Sequence, residues 1–255
     1  MSTPSAFFVS DAHLGVSRTG EARQARLVRF LESTVGSAQQ LFLVGDIFDF
    51  WIEYGPFIRG DFFPVLQALA RLRRAGTQLH YIAGNHDFAL GPFLSTQVGV
   101  QVHERAFDGE LQGRRVRVVH GDGLLDSDRL YRLLRAVLRN RLNQRLYRLL
   151  HPALGVGLAS LASRTSRTFS RGGISDDKRG RYRDVARRTL DEGTDIFVMG
   201  HTHCAELFAG DIGTYCNTGE WLQTYNFAKL SDGEMSLWRY RDDSAPERIQ
   251  AEPWK

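Results

Sequence analysis

Cysteine is nearly absent. The 255-residue chain has two, Cys204 and Cys216, too few for a disulfide scaffold and without zinc-finger spacing, so a reducing compartment is expected. Long apolar runs are missing as well: none approaches the roughly 18 residues that span a bilayer. The first residues, Met1 to Ser5, are short and polar, and no secretory signal is expected. No internal repeat and no low-complexity tail are found. Acidic residues are scarce in one place only. Between Leu124 and Arg188 stand 16 Arg and Lys against 5 Asp and Glu, while the remainder carries 17 against 24. The net charge of +4 therefore hides a segment of +11 set in a body of −7. Such a block answers to an anionic partner, whether phosphate, nucleic acid or a membrane surface, or it is simply a solvated helix face. Aromatic residues are thin there too. Arg129–Ala162 holds only Tyr131 and Tyr147, where a nucleic-acid groove would want stacking platforms.

What the chain has is order. Five short polar motifs follow one another: Asp11-Ala12-His13, Gly45-Asp46, Gly84-Asn85-His86-Asp87, His120-Gly121-Asp122 and Gly200-His201-Thr202-His203. They hold five of the eight histidines. Each begins at or follows a short apolar run that reads as a buried strand: Ala6–Ser10, Leu41–Val44, Leu79–Ala83, Val116–His120 and Ile196–Met199. Helical patterns at Glu21–Val35 and Phe62–Arg74 alternate with the first three, which predicts an α/β layered fold. The motifs are expected at successive strand ends of one sheet, where α/β proteins place their ligands. Past Gly200 the pattern turns to an antiparallel meander, with Asp232-Gly233 as a hairpin turn. Leucines at helical spacing from Leu130 to Leu149, with arginines on other faces, predict one long basic amphipathic helix ended by His151-Pro152. Ser163–Gly173 reads as a loop, and a further helix is expected from Asp176 or Asp177 to about Glu192. The expected division is a sheet domain of residues 1–123 and 189–255 with an inserted, Arg-rich helical lid at 124–188.

The motif residues can hold two divalent metals. Asp46, after a glycine at a strand end, is placed to bridge both. Asp11, His13 and His203 suit one ion; Asn85, His120 and His201 suit the other. Mixed oxygen and nitrogen ligands without thiolates favour Mn, Fe or Zn over Ca and speak against a structural zinc site. Two such ions can activate water and clamp a phosphoryl group for in-line displacement. His86 exceeds the ligand set and is the expected catalytic residue, contacting a phosphate oxygen or the leaving group. Asp49, Asp87 and Asp122 are expected to orient imidazoles from behind. His80, His103 and His151 are read as ordinary core or surface residues.

Taken together, the five motifs resemble those of the calcineurin-like metallophosphoesterase superfamily across residues 11 to 203. Three further features resemble its UDP-2,3-diacylglucosamine pyrophosphohydrolases of lipid A synthesis: Gly45-Asp46-Ile47-Phe48-Asp49-Phe50-Trp51-Ile52; Asn85-His86-Asp87-Phe88-Ala89-Leu90-Gly91; and a helical insertion after His120-Gly121-Asp122, with Asp128 and Tyr131 at matching places. The resemblance implies a four-layer α/β/β/α sandwich with a helical lid and a dinuclear centre, Mn2+ first among the candidate metals. It also implies cleavage of the lipid-linked nucleotide diphosphate to UMP and 2,3-diacylglucosamine 1-phosphate. A cytoplasmic place, peripheral on the inner face of the bacterial inner membrane, follows from it, with no obligatory protein partner and nucleic acid as an unlikely one. Asn85, His86, Asp128, Ser166, Ser170 and Arg171 would touch substrate. Proteobacterial members carry Arg where this chain has His86. The alternatives are a nuclease or nucleotide phosphodiesterase of the same superfamily, and a non-catalytic binding scaffold, against which the filled ligand positions speak.

Overall fold

Strand alternation decides the layers. The computed structural model describes residues 5–15, 20–53, 58–125, 136–138, 140–147, 149–151, 154, 155, 157 and 174–254. In β1 (Ser5–Val9), Phe7 and Val9 face one side and Ala6 and Phe8 the other, and all four are buried. The same split recurs in β2 (Ala38–Leu43) and β3 (Gln78–Ile82), where Leu41, Leu43, Leu79 and Tyr81 share one core and Phe42 and Ile82 another. Successive side chains of a strand point to opposite faces, so a continuous apolar run demands a cover on both.

One cover is helical. α1 (Gly20–Ser33) and α2 (Phe63–Arg74) bury Leu27, Phe30, Leu31, Val65, Leu69 and Leu72 against the outer face of the first sheet. Each fully buried leucine stabilises the fold by about 1.5–3 kcal/mol relative to exposure. The other cover is a second sheet. The first sheet runs β12 (Glu247–Ile249), β11 (Glu234–Arg239), β10 (Asn226–Ser231), β1, β2, β3 and β4 (Val100–His103). The second runs β13 (Glu252–Pro253), β8 (Ala205–Gly210), β9 (Gly213–Thr218), β7 (Ile196–Met199), β6 (Arg114–Val119) and β5 (Ala106–Leu111). Phe8, Phe42, Ile82, Val116, Val118, Ile196 and Val198 fill the space between them. Two further α-helices are α3 (Arg141–Tyr147) and α4 (Asp176–Asp191). α4 lays Tyr182, Ala186 and Leu190 on Phe197, Met199 and Tyr215 of the second sheet. The order is helix, sheet, sheet, helix, the expected four layers.

Three expectations need correction. The motif-bearing strands belong to two sheets: β1, β2 and β3 to the first, β6 and β7 to the second. The C-terminal strands form no single meander, because β8–β9 and β10–β11 are antiparallel hairpins in different sheets. Both errors have one cause, since strand pairing is non-local and periodicity sees only the chain's own neighbourhood. The long basic helix is also interrupted. Asn140 Oδ1 accepts from Leu142 N at 2.8 Å and caps α3, so a new helix starts there.

Candidate metal centre

The ligand turns are laid down by backbone pairing that outlasts the strands. Beyond β1, Asp11 N donates to Gly45 O and His13 N to Asp46 O, at 3.1 and 2.9 Å. The first two motifs are thus bound side by side. Asp11, His13, Asp46, His201 and His203 all have positive φ, between 43° and 66°. Left-handed backbone in residues other than glycine is costly and marks functional turns. Two glycines make room. A Cβ on Gly84 would stand 2.1 Å from Asp46 Oδ1, and one on Gly200 would stand 2.6 Å from Asp11 Oδ2. No other residue lets the backbone pass so close to the carboxylates.

Asp11, His13, Asp46 and His120 are buried, and their donor atoms converge. His203 Nε2 lies 3.2 Å from Asp11 Oδ1 and 3.3 Å from His13 Nε2. His120 Nε2 lies 3.4 Å from Asp46 Oδ2 and 3.1 Å from Asn85 Oδ1. Asp46 Oδ2 is also 3.9 Å from His13 Nε2, so this one oxygen stands between two donor groups. Such separations suit the edges of a coordination shell with bonds of about 2.0–2.2 Å. The polar atoms left over point the same way: Asp11 Oδ1 and His13 Nδ1 are buried without a hydrogen-bond partner. A cation satisfies the former as no neighbour does, so the residues fit divalent metal. Among the described residues, three groups bring their ligand atoms together closely enough to hold an ion: Asp11, His13 and His203; Asp11, Asp46 and His120; and His13, Asp46 and His86.

Electrostatics tell the same story. Burial pushes the carboxyl of Asp11 up, yet the His203 imidazole outweighs it and holds the group at about 2. Burial likewise pushes His120 down, and the Asp46 carboxylate carries it well above the usual imidazole value. His201 falls to about 4 through burial and the charge of His120. His120 Nδ1 donates to Val44 O at 2.9 Å, which turns Nε2 toward Asn85 Oδ1 and Asp46 Oδ2.

The remaining expected residues fall into place unevenly. His201 joins none of the three clusters. Its ring stands 5.1 Å from that of His120, and its N–H donates to Asp11 Oδ2 at 2.9 Å. His86 lies edge-on to His13 at 4.7 Å, with Nδ1 donating to Asp49 O at 3.1 Å. It is close enough to be a ligand, although the sequence placed it outside the set. Asp49 stands 3.6 Å from His13 Nδ1, and Asp122 raises the affinity of His120 for its proton, behind burial and the larger pull of Asp46 and Asp11. Asp87 differs from expectation. It accepts from the N–H groups of Asp46, Phe48 and Gly84 and from the Tyr81 hydroxyl, so it anchors backbone and orients no imidazole. Burial raises its carboxyl to about 6. Asp128, Ser166, Ser170 and Arg171 lie outside the described residues.

Sequence reading missed Ser10, Arg23, Asn217 and Thr218. Ser10 Oγ donates to Asp11 Oδ2 at 2.5 Å and meets Thr218 Oγ1 at 2.7 Å. Arg23 donates to the carbonyls of Ala12 and His13, each at 3.1 Å. The available signal was polar Asn217-Thr218-Gly219 directly after an apolar strand, the same grammar as the five motifs.

Residues 5–205 match the calcineurin-like phosphoesterase family. A UDP-2,3-diacylglucosamine hydrolase of Porphyromonas gingivalis is 31% identical over 246 residues, covering 89% of this chain and 94% of that one. One of Neisseria meningitidis serogroup B is 27% identical, covering 90% and 95%. One of Proteus mirabilis is 29% identical, covering 80% and 84%.

Proposed function

The chain belongs to the calcineurin-like phosphoesterase family, a family of metal-dependent hydrolases, and from that premise we propose that it cleaves UDP-2,3-diacylglucosamine to UMP and 2,3-diacylglucosamine 1-phosphate with two divalent ions, Mn2+ first among them. The observation that carries the reading is the position of Asp46 Oδ2 between His13 Nε2 and His120 Nε2, at 3.9 and 3.4 Å. Asp11, His13, Asp46 and His203 would hold one ion, and Asp46, Asn85, His120 and His201 the other. Bound there, divalent ions polarise a phosphoryl oxygen, neutralise its charge and make water a nucleophile at neutral pH.

The chain's own groups do the rest. His86 keeps Nδ1 on the carbonyl of Asp49, leaving Nε2 as the atom that meets a phosphate oxygen or the leaving group. Asp49 steadies both His13 and His86, at 3.6 and 3.5 Å. The substrate's lipid is the part read from outside the centre. The UDP-2,3-diacylglucosamine hydrolases of Porphyromonas gingivalis and Neisseria meningitidis align over nearly their whole length. The insertion supplies what acyl chains would need: Leu142, Leu146, Leu149 and Leu154 are more than half exposed. Tyr147 of α3 lies 6.0 Å from Phe50 of the metal-bearing loop, so this apolar face sits beside the site. The neighbouring arginines suit an anionic headgroup surface, which supports a peripheral position on the cytoplasmic face of a membrane. Among the described residues no helix is long and apolar enough to cross one.

Mass spectrometry of products tests this. The Mn-loaded protein incubated with UDP-2,3-diacylglucosamine is expected to yield UMP and the acylated sugar phosphate. Turnover of nucleotide diesters alone, with the lipid substrate untouched, would replace this reading by that of a nucleotide phosphodiesterase.

A further inference from the structure

We infer that Asn217 is a positioning residue of the metal centre: its carboxamide holds the His201-Thr202-His203 turn in the shape that presents both imidazoles. The inference rests on the dinuclear reading above and extends it beyond the ligands. Asn217 is fully buried at the end of β9. Its Nδ2 donates to Thr202 Oγ1 at 2.8 Å and to Gly200 O at 3.1 Å, with the Tyr215 hydroxyl at 3.4 Å. Its Oδ1 accepts from Gly219 N at 3.1 Å. An amide nitrogen has two protons, and Thr202 and Gly200 are the two closest acceptors for them.

The turn needs holding. His201 and His203 have φ of 66° and 59°, a conformation that persists in such residues only where the surroundings over-determine it. The two contacts of Asn217 fall at 200 and 202, so they bracket His201 and set the approach to His203. The Thr202 hydroxyl passes the constraint on by accepting from Cys204 N at 3.3 Å, while Thr202 N closes the turn on Gly200 O at 2.7 Å. Asn217 touches no ligand side chain, and it acts through the backbone that carries two of them. The next residue does the same for the other sheet. Thr218 Oγ1 meets Ser10 Oγ, which donates to Asp11 Oδ2. The end of β9 is therefore a strut between ligand turns supplied by different sheets.

Asn217→Asp keeps the size of the side chain and removes both donated bonds. The test measures Mn2+ binding by calorimetry and low-temperature electron paramagnetic resonance, in which two coupled ions differ from one isolated ion. Val65→Ala, in the core under α2, serves as the stability control. Wild type is expected to bind two Mn2+ with a coupled spectrum. Because the turn carries His203 for one ion and His201 for the other, Asn217→Asp is expected to lose about 10- to 100-fold in affinity for both, the range for outer partners of metal ligands, and to show less of the coupled spectrum than wild type at the same Mn2+ concentration. Val65→Ala is expected to keep the coupled spectrum at an equal loss of Tm. Thr202→Val removes the hydroxyl that accepts from Asn217 Nδ2 and Cys204 N and is expected to weaken Mn2+ binding in the same way. The double variant should be about as weak as Asn217→Asp by itself, because the two changes share the Asn217–Thr202 contact. Wild-type affinity and spectrum in Asn217→Asp, or a loss no larger than that of Val65→Ala, overturns the inference. If Asn217→Asp does not fold, unchanged binding in Thr202→Val overturns it. Wild type binding fewer than two ions overturns the dinuclear reading and this inference with it.

Discussion

At the scale of single residues, the centre divides the work between the two oxygens of each carboxylate. Asp46 Oδ1 accepts from His86 N at 2.8 Å while Oδ2 faces the imidazoles. Asp11 Oδ2 is taken by Ser10 and His201, and Oδ1 is left bare. One oxygen fixes the rotamer and the other is free for metal. Asp46→Ala is therefore expected to lose both ions by elemental analysis, and a variant that retains one would show that Asp46 does not bridge. His86 is the residue on which geometry and sequence part, because its ring stands within ligand distance of His13 and Asp46. If it serves catalysis, His86→Ala keeps two ions and loses about 10²- to 10⁴-fold in kcat. Loss of an ion instead makes it a ligand. That Asp11, His13, Asp46, His120 and His203 come together was legible because each motif is contiguous and its chemistry is carried by residue type. The role of Asp87 was not, since Gly-Asn-His-Asp does not say whether its last carboxylate meets a ring or a backbone N–H.

Among elements, the helices divide sharply by what they bury. α2 buries its stripe in the core, whereas the insertion leaves Val137, Leu138, Leu142, Leu146, Leu149 and Leu150 exposed at 37–81%. Spacing alone could not separate the two cases, for both show leucine every three or four residues. The break at Asn140 was equally hidden, because a capping side chain gains its bond only when the preceding turn ends. Strand order was hidden for a different reason. Phe42 and His80 stack at 4.4 Å because β2 and β3 are in register, a fact of pairing rather than of pattern. Exposure of the leucines gives a direct test of the lid. Leu138→Glu with Leu142→Glu is expected to raise KM for the acylated substrate several-fold while hydrolysis of a small phosphodiester and Tm stay near wild type. A parallel fall in both activities and Tm would mean that the stripe is core.

For the molecule as a whole, acid is the expected weak point, and its source lies between the sheets. His80 is buried at 3% exposure, stacked on Phe42, with Nδ1 and His103 Nε2 3.1 Å apart. Burial, then the His103 charge, depresses His80 from 6.5 to about 4. The folded state thus favours the neutral ring. Its contribution is complete above pH 6.5 and is lost as pH falls toward 4, by up to about 3 kcal/mol. His80→Phe is expected to flatten that limb of a Tm-against-pH curve measured with metal chelated, and an unchanged limb would place the acid sensitivity elsewhere. The pairing of β1 with β10 has a consequence of another kind, in time. Ser5 faces Ser231 across that pair, 226 residues away, and His13 meets His203 across 190. A ribosome adding about 5–20 residues per second exposes β1 for roughly ten to forty seconds before its second neighbour exists. During that interval one edge of β1 is bare and the half-made site already holds Asp11, His13 and Asp46. Until β10 is made, the β1 edge that Ser231 to Ala228 will cover is a row of unpaired backbone groups open to pairing with another chain.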